Sequence, residues 1–538
     1  MKRMLVVFFV AASAAAQTSD DIAARVDAIF SQYRDAPGCA VGISRSGKTV
    51  LTRGYGMANL EYDIPITPAS IFEAGSVSKQ FTAAAVEVLA QDGKLSLDEP
   101  VRKYLPELSA AYEPVTIREM LNHTSGIRDW GTITDLAGWP RGKRAHTMPI
   151  VLDILSRQRA LNFPAGTQYS YSNSNYNLLA MIVERVSGKS FPDFTRERLF
   201  VPLGMTSSGW RDDYSRVVKG RAYGYDPVKG GGYRANMHYE NIYGNCCLMT
   251  TVGDLLTWNE NFRTPRVGGQ AFVDAMQTPG VLKSVDKIDY ALGLFVNDYH
   301  GKREISHGGA TAGYRAFLMR LPDDDLSVAL LCNRGDVNIG SLAHKVADVF
   351  LPPFKDTTPT RAADADAAFA GLYRDPLTDA IIPVQISDKK VMVGFGRGLE
   401  LRPLGNGRYG VREGNELRFD KEGLILVTGH KAPARYVRID AATPSAVALE
   451  EYAGTYFSDE VGSTLRLSVI GGKLTVHIQP GSDVTLMPTY ADAFRDDASD
   501  LAHFTRDASG KINGFDIAAD FSMGEGTGRV ARLHFTKQ

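Results

Sequence analysis

The sequence predicts an α/β (α+β) chain, in which an antiparallel sheet with a helical subdomain is followed by two small antiparallel β-barrels. Three observations predict it. Strand-turn-strand text opens and closes the first two thirds of the chain, text rich in helix formers lies between, and the remainder repeats itself. At 538 residues the chain is too long for a single core and divides into two to four domains.

The first residues, MKRMLVVFFVAASAAAQ, place Lys2 and Arg3 before an apolar run that ends in Ala14-Ala15-Ala16. This is the pattern of a cleaved export signal over residues 1–16, with maturation near Gln17. The run falls short of the ~20 apolar residues that span a bilayer, so no membrane span is expected after cleavage, and the mature chain is expected in a periplasm or outside the cell. CAVGISRSGKTVLTRGY from Cys39 reads as a hairpin around a Ser-Gly turn. Residues 77–91, VSKQFTAAAVEVLAQ, read as a helix stopped at Asp92-Gly93. From Val115 to Phe262 the text is expected to be mostly helical, broken by the loop LNHTSGIRDW at 121–130. SHGGATAGYRAFLMRL and LSVALLCN flank the turn Pro322-Asp323-Asp324-Asp325 as a second hairpin, and a helix over Ile339 to Phe350 closes the region 17–352.

Residues 353–366 have the composition of a linker. Beyond it, FAGLYRDP at Phe369 returns as YAGTYFSD at Tyr452, an offset of 83 residues, and VQISDKKVMV from Val384 answers LSVIGGKLTV from Leu467. Both copies alternate polar and apolar residues between Gly, Asp and Asn turns. They predict small barrels at 367–440 and 449–538, with carbohydrate-binding modules as the alternative.

Composition excludes more than it selects. With 60 Lys+Arg against 61 Asp+Glu the net charge is -1, which argues against nucleic acid as a partner and favours a small molecule or short peptide. The oligomeric state stays open, a homodimer included. Four cysteines, Cys39, Cys246, Cys247 and Cys332, are too few for a disulfide-built scaffold, and they read as buried small hydrophobes rather than as a vicinal pair at 246–247. Neither CxxC nor HExxH occurs, so no metal and no cofactor is expected.

Ser76 and Lys79 stand three apart in EAGSVSKQFT, where a helix would place hydroxyl and amine on one face. SxxK also occurs at Ser284 to Lys287 and Ser387 to Lys390, but only Ser76 opens a long helix. There the hydroxyl meets the positive end of the helix dipole, and burial one turn on lowers the lysine pKa until the amine can take the serine proton. On the motif alone, a capping serine and a solvated lysine read equally well. Tyr171-Ser172-Asn173 then precedes a helix whose Leu178, Leu179, Ile182, Val183 and Val186 keep helical spacing. A tyrosine there can relay a proton, and the Asn173 amide can hold Lys79 or a substrate carbonyl. His307-Gly308-Gly309-Ala310, expected at the start of a strand, would bring an N–H beside that of Ser76 as a two-donor oxyanion hole.

With these motifs in this order, the sequence resembles the serine β-lactamase and penicillin-binding-protein superfamily, in the branch of class C-like enzymes, D-aminopeptidases and related esterases. SVSKQFT, LNHTSGI, YSN, PLGM at 202–205 and HGG carry the resemblance over roughly residues 22–352. It implies Ser76 as the acylated nucleophile, Lys79 as its base and Tyr171 as acid/base. It also implies substrate binding by Asn173, His307 and Gly309, and the N–H groups of Ser76 and Ala310 around the oxyanion. Many β-lactamases carry Lys-Thr-Gly where this chain has His-Gly-Gly, and a neutral histidine holds a drug carboxylate less well.

A catalytic domain with two lipocalin-like barrels resembles the D-aminopeptidase architecture, in which a loop of the last barrel reads the free amino end of the substrate. The resemblance puts the matching segment near Gln479-Pro480-Gly481-Ser482-Asp483, where Asp483 would pair with an ammonium; a plain β-turn aspartate is the alternative reading. The expected activity is therefore an acyl-enzyme hydrolysis of short peptides or amides. Alternatives are a carboxylesterase, a DD-carboxypeptidase or weak β-lactamase, and a non-catalytic penicillin-recognising sensor.

Overall fold

The structure is a computed structural model that describes residues 19–354, 367–376, 379–395, 398–412, 415–428, 431–497, 501–519 and 530–538. The expected signal, 1–16, and nearly all of the expected linker lie outside these residues.

Six antiparallel strands form the central sheet of the first domain: β1 (Cys39–Arg45), β2 (Lys48–Tyr55), β3 (Phe295–Tyr299), β4 (Lys302–Thr311), β5 (Tyr314–Leu321) and β6 (Leu326–Cys332). Their order is β3-β4-β5-β6-β1-β2. The two predicted hairpins are β1-β2 and β5-β6, and the glycine-rich text supplies a further strand, since β4 turns into β5 at Ala312-Gly313. Alternation sorts the central strands between two layers. Val41, Ile43, Val328 and Leu330 face the terminal helices α1 (Ser19–Phe30) and α6 (Ile339–Asp348). Ala40, Ala329 and Leu331 face the larger core that holds α2 (Lys79–Gln91), α4 (Asn173–Ser187) and α5 (Val252–Asn261). Helix α2 is buried from Lys79 to Leu89, as a helix at the centre of a core must be, so the only charges it carries inward are ones the fold accommodates. The expected run of helices ends at Leu203. Between Gly204 and Thr250 only short strands interrupt irregular chain, because Gly and polar residues there keep no 3.6-residue period.

All four cysteines are buried but paired, which corrects the expectation of buried small hydrophobes. Cys39 sits directly opposite Cys332 in the β1-β6 register and bonds to it, and Cys246 bonds to Cys247. Register is a tertiary fact, so the first pairing is invisible in the one-dimensional text. Closing a loop across a sequence separation of 293 residues constrains the unfolded chain strongly. Replacing Cys39 and Cys332 together by alanine should cost about 2–5 kcal/mol in urea unfolding. A loss below about 1 kcal/mol would mean the bond is not formed.

The repeat is structural. Gly371–Arg374, Ile381–Ser387 and Lys390–Val393 in the first module correspond to Gly454–Ser458, Ser463–Ile470 and Lys473–His477 in the second, with Gly371 and Lys390 answered by Gly454 and Lys473. The first module is a nine-stranded antiparallel sheet whose two end strands, Leu399–Glu400 and Arg402–Gly405, are consecutive in the chain, so it is a nearly closed barrel. The second is a closed eight-stranded barrel filled by Tyr456, Phe504, Phe515 and Phe535.

The second barrel docks on the first domain through the LNHTSGIRDW loop. Arg128, 1% exposed, donates to Glu460 Oε2 at 2.6 Å and to the carbonyls of Ala531 and Arg532 at 3.0 and 2.9 Å. Gln158 Nε2 and the Arg159 N–H add bonds to Glu460.

Candidate active site

The chain enters the site along the four-residue turn Gly75–Ser78 before α2. Gly75 has φ of +51°, and a Cβ on it would lie 2.7 Å from the Ala310 nitrogen. From the other side, a Cβ on Gly309 would lie 2.1 Å from the Ala74 carbonyl oxygen and 3.1 Å from the Ser76 nitrogen. Two glycines therefore let β4 run backbone to backbone against the Ser76 turn, which brings the N–H groups of Ser76 and Ala310 to one place. The HGG segment lies in the second half of β4 rather than at its start, which is what allows it to reach the turn.

Gly75–Ser78 form a short 3₁₀ turn that continues as α2, so Ser76 and Lys79 face the same way. Lys79 Nζ lies 3.1 Å from Ser76 Oγ, 2.9 Å from Asn173 Oδ1 and 2.8 Å from the Asn245 carbonyl oxygen. Its side chain is fully buried and packs on the rings of Tyr171 and Tyr176 at 4.6 and 5.6 Å. Burial holds its amine well below the ordinary lysine range; the Asp129 carboxylate pushes back, and the Arg141 cation adds to the depression. The other two SxxK pairs make no such contact. Ser284 donates to Asp286, while Lys390, opposite Ser387 across a hairpin, bonds Glu400.

Tyr171 stands beside Ser76 and the Lys79 amine, and loss of solvent around it raises its phenol well above the ordinary value, against a smaller lowering by Ser76. His307 is buried, with Nδ1 2.6 Å from the Gly308 carbonyl oxygen and Nε2 3.0 Å from the Tyr290 hydroxyl. The carbonyl requires a proton on Nδ1, so Nε2 accepts from Tyr290. Burial and then the nearby Lys79 amine pull this imidazole down to about 3, and it is uncharged at neutral pH.

The frame around these groups is polar and buried, and it is where sequence reasoning saw least. The LNHTSGIRDW loop and the segment before α4 are stitched together. Ser125 Oγ donates to Asn175 Oδ1, the Trp130 N–H to Ser174 Oγ, Trp130 Nε1 to Asn177 Oδ1, and Tyr176 OH to the Leu121 carbonyl. Asp129 caps the helix α3 (Trp130–Leu136) and accepts the Asn173 N–H at 2.7 Å. His123 packs on Tyr171 with ring centroids 4.3 Å apart, and its Nδ1 accepts from the Ser172 N–H and Asn175. The apolar spacing of α4 pointed to its core face. The cluster of Ser and Asn at its start was the signal for this frame, since polar side chains enter a core only where they are bonded.

Of the expected site residues, Ser76, Lys79, Tyr171, Asn173, His307, Gly309 and Ala310 converge. Asp483 does not. It opens a barrel strand opposite His477, with its carboxylate on His477 Nδ1 at 2.8 Å and largely in solvent. An aspartate directly across a strand pair from a histidine takes it as partner. The segment ahead of it does reach the first domain: Gln479 and Pro480 lie against Gly138, just past α3, beside a cavity of about 870 Å³ between helical subdomain and barrel.

A hydroxyl beside a buried amine whose pKa burial depresses, with a phenol on one side and two backbone N–H groups on the other, is the working set of a serine hydrolase. Residues 26–349 match the Beta-lactamase family model, more than half of the chain, and the chain belongs to that family; residues 439–531 match a Domain of unknown function (DUF3471). The D-aminopeptidase of Brucella canis (strain ATCC 23365 / NCTC 10854 / RM-666) is 26% identical over 517 residues, covering 93% of this chain and 96% of that protein. Among solved structures, the octameric penicillin-binding protein homologue from Pyrococcus abyssi superposes with a TM-score of 0.56 at 21% identity, covering 85% of this chain and 97% of that one. The D-amino acid amidase from Ochrobactrum anthropi SV3 complexed with L-phenylalanine amide gives a TM-score of 0.50 at 20% identity, covering 61% and 98%.

Proposed function

We propose that this is an exported hydrolase that cleaves short peptides or amides bearing an amino-terminal D-residue through an acyl-enzyme on Ser76. The observation that carries the chemistry is the full burial of Lys79 with its Nζ 3.1 Å from Ser76 Oγ. A neutral amine has two N–H donors and one lone pair. Burial favours that neutral form, in which Asn173 Oδ1 and the Asn245 carbonyl take both donors and the lone pair is left for the Ser76 hydroxyl, 3.1 Å away. Lys79 then accepts the serine proton as Oγ attacks the carbonyl, the N–H groups of Ser76 and Ala310 receive the oxyanion, and Tyr171 protonates the leaving amine. Water attacks the ester by the same route in reverse.

Relatedness to D-aminopeptidases over 93% of the chain, both barrels included, supports the substrate class. Neutral His307 leaves the β4 edge without a cation, which disfavours substrates held by a carboxylate there. Two disulfides suit an oxidising compartment, in keeping with export. Turnover of D- and L-alanine p-nitroanilides, their N-acetyl forms and p-nitrophenyl acetate should favour the free D-amide by at least about tenfold in kcat/KM, or about 1.4 kcal/mol. Equal rates on free and acetylated amides, with the ester far ahead, would favour a carboxylesterase instead.

A further inference from the structure

The segment from Gly244 to Leu248 runs beside the Ser76 turn and the first turn of α2 and is bonded to this stretch, Ala74 to Thr82, at four points. Thr82 Oγ1 donates to the Gly244 carbonyl at 2.8 Å and Lys79 Nζ to the Asn245 carbonyl at 2.8 Å. Further on, the Leu248 N–H donates to Ser78 Oγ at 3.0 Å, and the Ala74 N–H to the Leu248 carbonyl at 2.8 Å. Between these two pairs of contacts sit Cys246 and Cys247, 3% and 0% exposed and bonded to each other.

The backbone here is unusual. Gly244 has φ of +90° and Cys247 of +79°, and the left-handed region is costly for a residue with a side chain. Something must hold Cys247 there. An S–S bond between neighbours closes a small ring through their shared peptide and removes rotation about the bonds on either side of it. A buried and a half-buried guanidinium flank the sulfurs: Arg211 Nη2 is 3.1 Å from Cys247 Sγ, and Arg141 Nη2 is 3.8 Å from Cys246 Sγ. Asn177 Nδ2 fixes Asn245 from its side-chain end at 2.8 Å.

Resting on the reading of Lys79 as the base, we propose that the Cys246–Cys247 disulfide is a positioning element for that lysine, locking the turn that holds the Asn245 carbonyl on one of its N–H groups. With the ring closed, the lone pair stays on Ser76. With the ring open, the carbonyl is free to swing away, the amine gains a rotational choice, and attack geometry is lost. The bond is also a redox modification site: a phosphine and a water open it to two thiols and a phosphine oxide, and oxidised glutathione restores it while releasing two reduced glutathiones.

The test uses the full chain and a fluorophosphonate probe of Ser76. Alkylation of the unfolded, unreduced protein should find no thiol at residues 246 and 247; two alkylated thiols there would overturn the proposal. Cys246→Ser/Cys247→Ser should lower the rate of Ser76 labelling about a hundredfold, the scale of a misplacement near 1 Å. Its acid limb should also move to lower pH, because the ammonium form loses an acceptor. The groups that face Lys79 and shape that limb are Asp129, Arg141, His123, His307, Tyr171 and Tyr176. A packing defect alone would slow labelling without moving the limb.

Where the double variant does not fold, the wild type decides. Phosphine should slow labelling and oxidised glutathione restore it, and a folded double variant should be indifferent to both. Unchanged rates and an unmoved limb would overturn the positioning role while leaving the hydrolase reading intact. Absence of any Ser76 label in the untreated wild type would overturn both.

Discussion

Lys79→Met is expected to lower acylation of Ser76 by about 10²–10⁴-fold, the usual worth of a positioned proton acceptor. Methionine keeps the length and apolar stem of the lysine, so the rings of Tyr171 and Tyr176 keep their packing. What is lost is the lone pair on Ser76 and two donors, to Asn173 and Asn245. The same variant reports the charge state of Lys79 in the folded protein. Burial holds its amine below the ordinary value of 10.5, so below that pH the unfolded chain binds a proton the folded chain does not. The wild type therefore loses stability as pH falls from about 10.5 toward the folded value, and Lys79→Met does not. The difference in Tm between variant and wild type should shift in the variant's favour from pH 10 to pH 7. A difference independent of pH would mean the lysine is folded as the ammonium, and near-wild-type acylation would remove it from the chemistry.

Arg128→Met is expected to cost about 3–5 kcal/mol in stability, the range for removing one partner of a buried ion pair. The guanidinium is enclosed between the motif loop and the second barrel, where it serves Glu460 and the carbonyls of Ala531 and Arg532. Methionine leaves those acceptors facing an apolar side chain. The damage extends to the site, because the Arg128 carbonyl takes Ser174 Oγ at 2.7 Å and its neighbour Asp129 takes the Asn173 N–H. Urea unfolding of the full chain measures the first effect and fluorophosphonate labelling the second. A loss under about 1 kcal/mol, as for an exposed pair, would mean that the barrel is not held by this residue.

How much of this was legible in the sequence depends on the range of the interaction that carries it. Ser76 and Lys79 meet through helical spacing alone, and the two modules through a fixed offset, so both could be read directly. Gly309 was legible as a close-approach residue, although what it approaches, the Ala74 carbonyl, belongs to another part of the chain. The Asn245 carbonyl was not legible, because a main-chain oxygen carries no residue signature and the chain around it keeps no period. The Cys39–Cys332 bond needed strand register. Asp483 was legible as an unpaired acid near a turn, and strand pairing with His477 gave it a partner inside its own barrel.

The central claim is that one serine, at the start of α2, becomes acylated. Labelling the purified chain with a fluorophosphonate, digesting it and mapping the adduct by mass spectrometry tests this without knowledge of the substrate. The account predicts a single adduct on the peptide containing Ser76, abolished in Ser76→Ala and strongly reduced in Lys79→Met. An adduct on Ser284 or Ser387, or no adduct on a folded wild-type chain, would contradict it.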